Sequence, residues 1–496
     1  MPKSPYFPDL LEQWCQSGIS TDTRTLKEGE TFFALPGMQT HGIEHITQAF
    51  ALGARVVMDA RYHQVAEKYP AHKVMVVPDI HRALFCALEC QYPFKFSHIS
   101  AVTGTNGKTS VTHFAQQLWA LCGIPSASVG TLGVCCQGST SYPTYEGTVP
   151  DVVSLYKILS QIYADGVTHV ALEATSHALD QGRLGHLSFD SAVWTSFSAE
   201  HLDYHQTMEQ YQQAKVLLFS QYLDVQGTAI VSKGLDFCSW VLEQSRTKKS
   251  ITYGKDGDFQ WNVCRKESGD SRVRATYCGQ SWEFSVALDT ELQIENLMAA
   301  AIIVRESGVD FGRVFSKMSR VVGVPGRWER VARNHWGSPI IIDFAHTPDA
   351  LEAILKPHFA KAGERRKIWL VAGAGGNRHL ECPKSCQSHT ERRFLMGQVA
   401  SAYSHEFCLT DDNFRREDPA HIRKEVALGC VGNYHEFSGR FEAIRYACDH
   451  AQSDDLVVIA GRGSEQGREN VSEHHGYQSL SDRAMVEKAL DGDGKN

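Results

Sequence analysis

The sequence has no apolar run long enough to cross a bilayer, and its first residues, MPKSPYFPDLLEQW, lack the apolar core of a secretory signal. These two absences argue against a membrane-spanning segment and against secretion. We therefore expect a cytoplasmic protein without membrane insertion.

Positive charge is also scarce. Lys and Arg total 49 against 57 Asp and Glu, which gives a net charge of -8. Binding to nucleic acid normally needs a basic face, so we expect no nucleic-acid partner and a small substrate. Oligomeric state is not determined by these features, and a monomer is the expectation.

Disulfides are not expected, because 14 cysteines are scattered through a long chain that has no secretory signal. Cys382, Cys386 and His389 have a spacing that a zinc site could use, with His379 as the nearest fourth ligand. No second pair of this type occurs, so a structural loop is the favoured interpretation. The vicinal pair Cys135 and Cys136 is predicted in a strand, buried rather than reactive.

The length of 496 residues exceeds a single core and indicates about three domains. Apolar strands alternate with helical segments from residue 96 onward, which predicts α/β domains with mostly parallel sheets. We place the boundaries at 1–96, 97–326 and 327–496. The first is a small α/β domain, the second contains a phosphate-binding loop, and the third is Rossmann-like.

That phosphate-binding loop is the most informative segment, AVTGTNGKTSVT at 101–112. An apolar strand ends in a glycine turn, and a helical pattern follows. Glycines permit the tight turn, the free amides of the helix face a phosphate, Lys108 supplies a positive charge and Thr109 offers a hydroxyl to Mg²⁺. The expected nucleotide contacts are Gly104, Thr105, Asn106, Gly107, Lys108, Thr109 and Ser110.

A second glycine-rich turn, at Gly373 and Gly375, is only a partial dinucleotide fingerprint. Arg378 stands where its third glycine belongs. Nicotinamide binding there is disfavoured.

Polar residues follow the strands of the central domain. Glu173 ends an apolar strand and could complete a metal site, although a glutamate in this position is often only a neighbour of a helix cap. His201, Asp203 and His205 are predicted in a loop, and Lys215 on a helix, where it could be an ordinary solvated lysine.

Eight motifs resemble, in order, those of the Mur ligases. They are STDTR at 20–24, GTNGKT at 104–109, EATSHALDQGR from Glu173, HLDYH from His201 with Lys215, PGRWERV around Arg327, DFAHTPDAL from Asp343, DDNFRREDP from Asp411 and AGRGSE from Ala460. Within this family their order and spacing are similar to the enzymes that add the third amino acid of the peptidoglycan precursor.

The resemblance implies an ATP-dependent amide ligase. ATP would phosphorylate the D-glutamate carboxylate of UDP-MurNAc-L-Ala-D-Glu, and the amine of the incoming amino acid would attack the acyl phosphate. Two Mg²⁺ ions are implied, the first held by Thr109 and Glu173, the second by His201 and Lys215. Because an ammonium has no lone pair for a metal, Lys215 is expected to be carbamylated, as an N6-carboxylysine derived from CO₂.

Further roles follow from the resemblance. The implied uridine-nucleotide contacts are Thr23 and Gln39, and the implied muramoyl-dipeptide contacts are Thr148, Thr175, Gln181 and Arg183. The implied ATP contacts outside the loop are Asn296, Arg327, Asp343 and His346. The implied amino-acid contacts are Arg378, Asp412, Asn413, Phe414, Arg415, Gly461 and Glu465.

The incoming amino acid is expected to be meso-2,6-diaminopimelate. Family members specific for it carry Asp-Asn-Pro-Arg where this chain has Asp412 to Arg415. The arginine pairs with the distal carboxylate, which lysine lacks, whereas proline would only stiffen the turn. Phe414 replaces that proline, and Arg462 and Ser464 depart from the family's Gly-Lys-Gly-His-Glu pattern, so an L-lysine-adding enzyme is the alternative.

Two other functions remain open. A related ligase could extend folate with glutamate or add D-Ala-D-Ala to the muramoyl tripeptide, but STDTR and DDNFR argue against both. A nucleotide-driven switch or scaffold would not need Glu173, His201 and Lys215 together.

Overall fold

The computed structural model describes residues 9–37, 40–138, 141–145, 147–265, 271–362, 366–376, 385–415, 417–465 and 480–491. The predicted Cys382, Cys386 and His389 cluster lies outside the residues whose side chains are described. No helix in these ranges is long and apolar enough to cross a membrane.

The first sheet is all-parallel. In the described residues it contains β1 (Ile19–Ser20), β2 (Thr31–Phe33), β3 (Arg55–Asp59) and β4 (Val74–Val77), paired in that order. Its helices are α1 (Asp9–Cys15), α2 (Ile46–Ala51), α3 (His63–Ala66) and α4 (Ile80–Gln91). Asp79 caps α4 by accepting a hydrogen bond from the Arg82 amide.

The second sheet has ten strands in the described residues. They are β5 (His98–Thr103), β6 (Ser126–Gly130), β7 (Gly133–Cys136), β8 (His169–Glu173), β9 (Phe189–Trp194), β10 (Leu223–Ser232), β11 (Ser250–Tyr253), β12 (Phe259–Arg265), β13 (Ser271–Tyr277) and β14 (Gln280–Val286). The order is β14-β13-β12-β11-β10-β9-β5-β8-β6-β7. The strands from β12 to β14 form antiparallel hairpins, as do β6 and β7, while the centre is parallel.

The helices associated with this sheet are α5 (Lys108–Leu121), α6 (Val152–Ala164), α7 (Ser176–Asp180), α8 (Leu202–His205), α9 (Met208–Leu217), α10 (Cys238–Gln244), α11 (Glu291–Glu306) and α12 (Phe311–Phe315). Phe114 and Trp119 of α5 join the core cluster that contains α11, whereas Tyr156 of α6 belongs to the other cluster. Apolar layers therefore cover both faces, as parallel sheets require.

The third sheet contains, in the described residues, β15 (Glu329–Arg333), β16 (Pro339–Asp343), β17 (Ile368–Ala372), β18 (Glu406–Leu409), β19 (His435–Glu436) and β20 (Leu456–Ala460). The order is β15-β16-β20-β17-β18-β19, and only β15 pairs antiparallel. Its helices are α13 (Pro348–Ala362), α14 (Ser385–Tyr403), α15 (Pro419–Ala427), α16 (Arg440–His450) and α17 (Asp482–Asp491).

The predicted fold class is confirmed, with three α/β sheets and a mostly parallel central one. One local prediction was wrong. The segment with His201 and His205 was expected in a loop, but Leu202–His205 forms the short helix α8. Cys135 and Cys136 lie in a strand as predicted, but they are only half-buried.

A buried imidazole lies near the amino end of β5. His98 is 4% exposed, contacts the Ser191 hydroxyl at 3.3 Å and stacks on His169. Burial and then the charge of His169 lower the pKa of His98 to about 3. The folded protein therefore keeps this ring neutral where the unfolded chain would protonate it.

We expect His98 to lower the free energy of unfolding of the protein at acidic pH. Between about pH 6.5 and 3 the unfolded chain binds one more proton at this position, so the free energy of unfolding falls by about 1.4 kcal/mol for each pH unit lost. Urea unfolding of the wild type and of His98→Gln measures this, because the variant should show a shallower acid dependence. Equal pH slopes would contradict it.

Candidate functional site

The cradle is the turn between β5 and α5, and its shape depends on two glycines. Gly104 has φ +144°, and a Cβ there would lie 2.0 Å from the Thr195 hydroxyl. Gly107 caps α5 with φ +92°, and a Cβ there would lie 2.6 Å from Asn296 Oδ1. Thr195, just after β9, donates a 2.5 Å hydrogen bond to the Asn106 carbonyl and braces the loop. Only glycine fits either position.

Two lysine ammonium groups converge on one carbonyl of this loop. Lys108 Nζ donates to the carbonyls of Gly104 (2.9 Å) and Thr105 (2.8 Å). Lys215, which α9 directs toward the same loop, also donates to Gly104 O at 2.9 Å. Lys215 is 1% exposed, with its ammonium 4.4 Å from the centre of the Tyr211 ring.

Burial lowers the pKa of both lysines, and more strongly for Lys215. Burial, and then the charge of Lys108, hold the pKa of Lys215 well below its usual value. Burial also lowers the pKa of Lys108, although the Glu200 and Glu173 carboxylates oppose the shift. The cradle therefore holds two amines close together away from bulk solvent, where the protonated form of at least one amine is disfavoured.

Glu173 ends β8, directly beside β5, because Val102 pairs with Glu173 in the parallel register. Its carboxylate accepts hydrogen bonds from the Thr131 amide (2.7 Å) and hydroxyl (3.3 Å). Thr131 in turn contacts the Thr148 hydroxyl at 3.1 Å. A Cβ at Gly130 would lie 2.1 Å from Glu173 Oε1, so the glycine makes room for the carboxylate. The sequence alone did not identify Gly130 and Thr131 as residues of this site.

Glu200 was also missed, although it directly precedes His201. Its carboxylate lies 3.6 Å from His201 Nε2 and 3.5 Å from His346 Nε2, which follows β16 of the third sheet. Burial alone would raise the pKa of Glu200, but the hydrogen bond from His346 and the charges of His201, His346 and Lys108 hold it below its usual range. His201 itself has φ +58°, a strained conformation for this residue type.

Arg327 lies in residues 321–328, the segment before β15 that we call the hinge, and it contacts the cradle. Its Nη2 donates to the Thr109 hydroxyl at 3.0 Å, and its guanidinium lies 4.0 Å from the centre of the Phe344 ring. Asp343, at the end of β16, accepts hydrogen bonds from the Trp328 amide (2.6 Å) and the Ala345 amide (2.7 Å). Burial raises the pKa of Asp343.

The predicted amino-acid contacts follow β18 and β20. The Gly376 amide donates to Asn413 O at 2.9 Å, and Arg415 donates to Gly376 O. Arg415 has φ +52°. A Cβ at Gly461 would lie 2.2 Å from Asp412 Oδ2, so Gly461 packs directly against this carboxylate. Glu465 lies in the same loop as Gly461 and is exposed.

The other predicted residues have these placements. Thr23 donates to Gln48 Oε1 (3.0 Å), and Thr175 caps α7 by accepting from the Ala178 amide (3.2 Å). Gln181 Nε2 donates to the Tyr204 hydroxyl (3.3 Å), and Arg183 donates to Val149 O (3.3 Å). In the cradle, Thr105 donates to Ser198 O (3.2 Å), and Ser110 is buried in α5. Gln39 and Arg378 lie outside the described residues.

No group of three or more His, Cys, Asp or Glu in the described part of the chain could hold a metal ion by itself. The donors near the cradle are the Thr109 hydroxyl, the Glu173 carboxylate and the His201 imidazole. Oxygen-rich donors of this kind suit Mg²⁺, which usually shares its coordination with phosphate and water. The residues present therefore fit a magnesium ion that binds together with a phosphate ligand.

Three descriptions of one family match most of the chain. The Mur ligase middle domain matches residues 102–304, the Mur ligase glutamate ligase domain matches 326–463, and the Mur ligase family catalytic domain matches 16–91.

Two similar relatives are both named UDP-N-acetylmuramoyl-L-alanyl-D-glutamate--2,6-diaminopimelate ligase. The protein of Rickettsia bellii is 34% identical over 490 residues, which cover 97% of this chain and 96% of the relative. The protein of Bradyrhizobium diazoefficiens is 33% identical over 481 residues, covering 96% and 94%.

Among solved structures, a ligase of the same name superposes with a TM-score of 0.63 at 28% identity, covering 97% of this chain and 95% of that one. The MurF ligase of Thermotoga maritima in complex with ADP has the same TM-score at 16% identity, covering 96% and 98%, which shows a shared fold.

Glu200→Gln should weaken the contact between the second and third sheets. At an acidic pH that protonates His346, the neutral amide loses the ionic attraction to this imidazole, which is worth about 0.5–1 kcal/mol because the imidazole is half-exposed. Small-angle scattering should show a larger radius of gyration, and a protease should cut near Gly326 faster. Glu291→Gln, on the exposed face of α11, is the control. An unchanged radius together with unchanged cleavage would contradict the prediction.

Proposed function

The chain belongs to the Mur ligase family, and from this premise we propose that it is an ATP- and Mg²⁺-dependent ligase that joins meso-2,6-diaminopimelate to UDP-MurNAc-L-Ala-D-Glu. The observation that carries the proposal is the convergence of Lys108, Lys215, Glu173 and Arg327 on one phosphate-binding loop. A nucleotide switch has no use for this second lysine. The names of the relatives at 33–34% identity support the two substrates.

The first chemical difficulty is repulsion between the substrate carboxylate and the terminal phosphate of ATP. Lys108, the amides at the start of α5 and the Arg327 guanidinium place positive charge around the transferring phosphoryl group. Mg²⁺ ions held by Thr109 and Glu173, and by His201 and Lys215, would neutralise the remaining charge. The product is an acyl phosphate on the D-glutamate, with ADP released.

The second difficulty is hydrolysis of that acyl phosphate by water. Arg327 contacts the cradle through Thr109, and His346 contacts Glu200 of the second domain. Asp343 supports this region from within the third domain, by accepting a hydrogen bond from the amide of Trp328 next to Arg327. Closure of the third domain would therefore complete the phosphate site and exclude water at the same time. The amine of the incoming amino acid then attacks the acyl carbon, and phosphate leaves.

Acceptor choice is assigned to the loops after β17, β18 and β20. Arg415 would pair with the distal carboxylate of diaminopimelate, and Asn413, Asp412, Gly461 and Glu465 would surround the amino acid. Thr23 in the first domain would contact the uridine nucleotide. Thr148, Thr175, Gln181 and Arg183 would hold the muramoyl dipeptide.

The three sheets support a division into a UDP-MurNAc-binding domain (1–96), an ATP-binding domain (97–326) and an amino-acid-binding domain (327–496). We further propose that the enzyme acts in the cytoplasm as a monomer. There it would supply a peptidoglycan precursor, and so serve cell shape and division.

Phosphate release by the purified chain tests the function. With ATP, Mg²⁺ and UDP-MurNAc-L-Ala-D-Glu, we expect release to depend on meso-diaminopimelate, with little release for L-lysine or D-Ala-D-Ala. A preference for lysine would overturn the acceptor assignment. Release that ignores the muramoyl dipeptide would indicate a nucleotide switch instead.

Carbamylation of Lys215 is a separate part of the proposal, and the burial of its amine beside Lys108 supports it. A neutral amine adds CO₂ and loses a proton, which turns a cation into an anionic oxygen ligand. Lys215→Ala should abolish ligation, and a short carboxylic acid should restore part of it. ¹³C-bicarbonate should give a carbamate NMR signal in the wild type that is absent from this variant.

The exposed lysine of α15, replaced in Lys424→Ala, is the control and should retain both activity and signal. Full activity of Lys215→Ala, or the same carbamate signal in it, would contradict the carbamate.

A further inference from the structure

Arg393 is a buried arginine of α14 that the mechanism above does not use. Its side chain is 2% exposed. Nη1 donates to Glu425 Oε2 (2.6 Å) and Glu417 Oε2 (3.1 Å), and Nη2 donates to Glu417 Oε1 (2.9 Å) and Gly375 O (3.1 Å). One guanidinium thus joins helix α15 to two separate loops.

One of those two loops, after β18, carries Arg415, and the other, after β17, lies against the Arg415 side chain. Gly375 lies in the loop after β17, and a Cβ there would lie 3.1 Å from Arg415 Nη1. Glu417 closes the turn after β18, because its amide donates to Phe414 O at 3.0 Å. The loops also touch directly, since Arg415 donates to Gly376 O. Arg393 therefore braces, from the buried side, the two segments that set the direction of the Arg415 guanidinium.

This bracing matters more here because the turn has Phe414 where a proline would restrict φ. The turn also holds Arg415 at φ +52°, which an unsupported loop would rarely adopt. A Cβ at Gly376 would lie 2.1 Å from Phe414 O, so the loops are in backbone contact, and a small change in one displaces the other.

We infer that Arg393 is a positioning residue for the amino-acid acceptor. It fixes the loops of Gly375 and Glu417 so that Arg415 meets the distal carboxylate of a diamino dicarboxylic acid. This inference rests on the proposed function. It predicts an effect on acceptor binding without an effect on the nucleotide site.

The experiment compares Arg393→Lys with the wild type. Lysine keeps the charge but cannot bridge two carboxylates and a carbonyl in one plane. We expect the KM for diaminopimelate to rise by about 10-fold or more, because misplacement of a binding group by about 1 Å has effects of this size. The KM values for ATP and for UDP-MurNAc-L-Ala-D-Glu should stay within about twofold of the wild type.

Glu417→Gln is the second variant, which keeps the size of the side chain but removes its charge and one of the two oxygens that accept from Arg393. It should raise the same KM in the same direction. The Arg393→Lys/Glu417→Gln double variant should be no worse than the more affected single variant, because the contact with Glu417 that Glu417→Gln weakens is already lost in Arg393→Lys.

Asp455→Asn is the matched control for a general loss of stability. Asp455 is also buried in the third domain, but it accepts hydrogen bonds from the Lys367 amide and Trp369 Nε1, at the amino end of β17. It should lower the melting temperature without changing the KM for diaminopimelate.

Diaminopimelate KM values within about twofold of the wild type in both variants would overturn the role of Arg393. An equal rise in the KM for ATP would overturn it as well. If the wild type itself does not use diaminopimelate, the proposed function fails instead, so the two failures are distinguishable.

Discussion

The functional architecture depends on the Gly104 carbonyl, which accepts hydrogen bonds from Lys108 and Lys215 together. A carbonyl dipole stabilises nearby cations, yet two buried ammonium groups also repel each other. The arrangement is therefore suited to a bound anion, such as a polyphosphate, or to chemical neutralisation of one amine. Glu173, Glu200 and Arg327 surround this point, and each comes from a different part of the chain.

The meeting of these residues follows from the pairing of β5 between β8 and β9. Parallel neighbours end at the same edge of a sheet, so Glu173 after β8 and Thr195 after β9 both reach the turn that follows β5. Ligands of open α/β sheets bind at such edges. The third domain adds Arg327 and His346 from one side, and Glu465 of the loop after β20 lies near enough to Arg327 for its charge to act on the Arg327 pKa.

Much of this arrangement was predictable. The strands 98–103, 169–173 and 189–194 each contain a short apolar stretch, and glycine with Lys108 marks the start of α5. The hairpins of β12 to β14 were not anticipated, although alternation in RVRATY is typical of a strand with one solvated face. Asp203 and His205 were wrongly predicted in a loop because α8 has only four residues, too few for a helical period to be visible.

Supporting residues could not be found from the sequence. Gly130 matters only because the Glu173 side chain occupies its Cβ position, and Arg393 only because two loops and helix α15 meet at its guanidinium. Such roles arise from contacts between residues far apart in the chain. Glu200 is different, since its place before His201 in a strand-end segment was a usable signal.

The second and third domains contact each other in chemically different ways at two places. Glu200 lies 3.5 Å from His346 Nε2, and the two attract each other ionically when the imidazole is protonated. Gly326, in contrast, touches the backbone of Gly463 and Ser464 so closely that a Cβ at Gly326 would lie 2.2 Å from the Ser464 amide nitrogen. Dissolved ions screen the first and leave the second unaffected. A high salt concentration would therefore weaken the contact at His346 and leave the backbone packing at Gly326 intact.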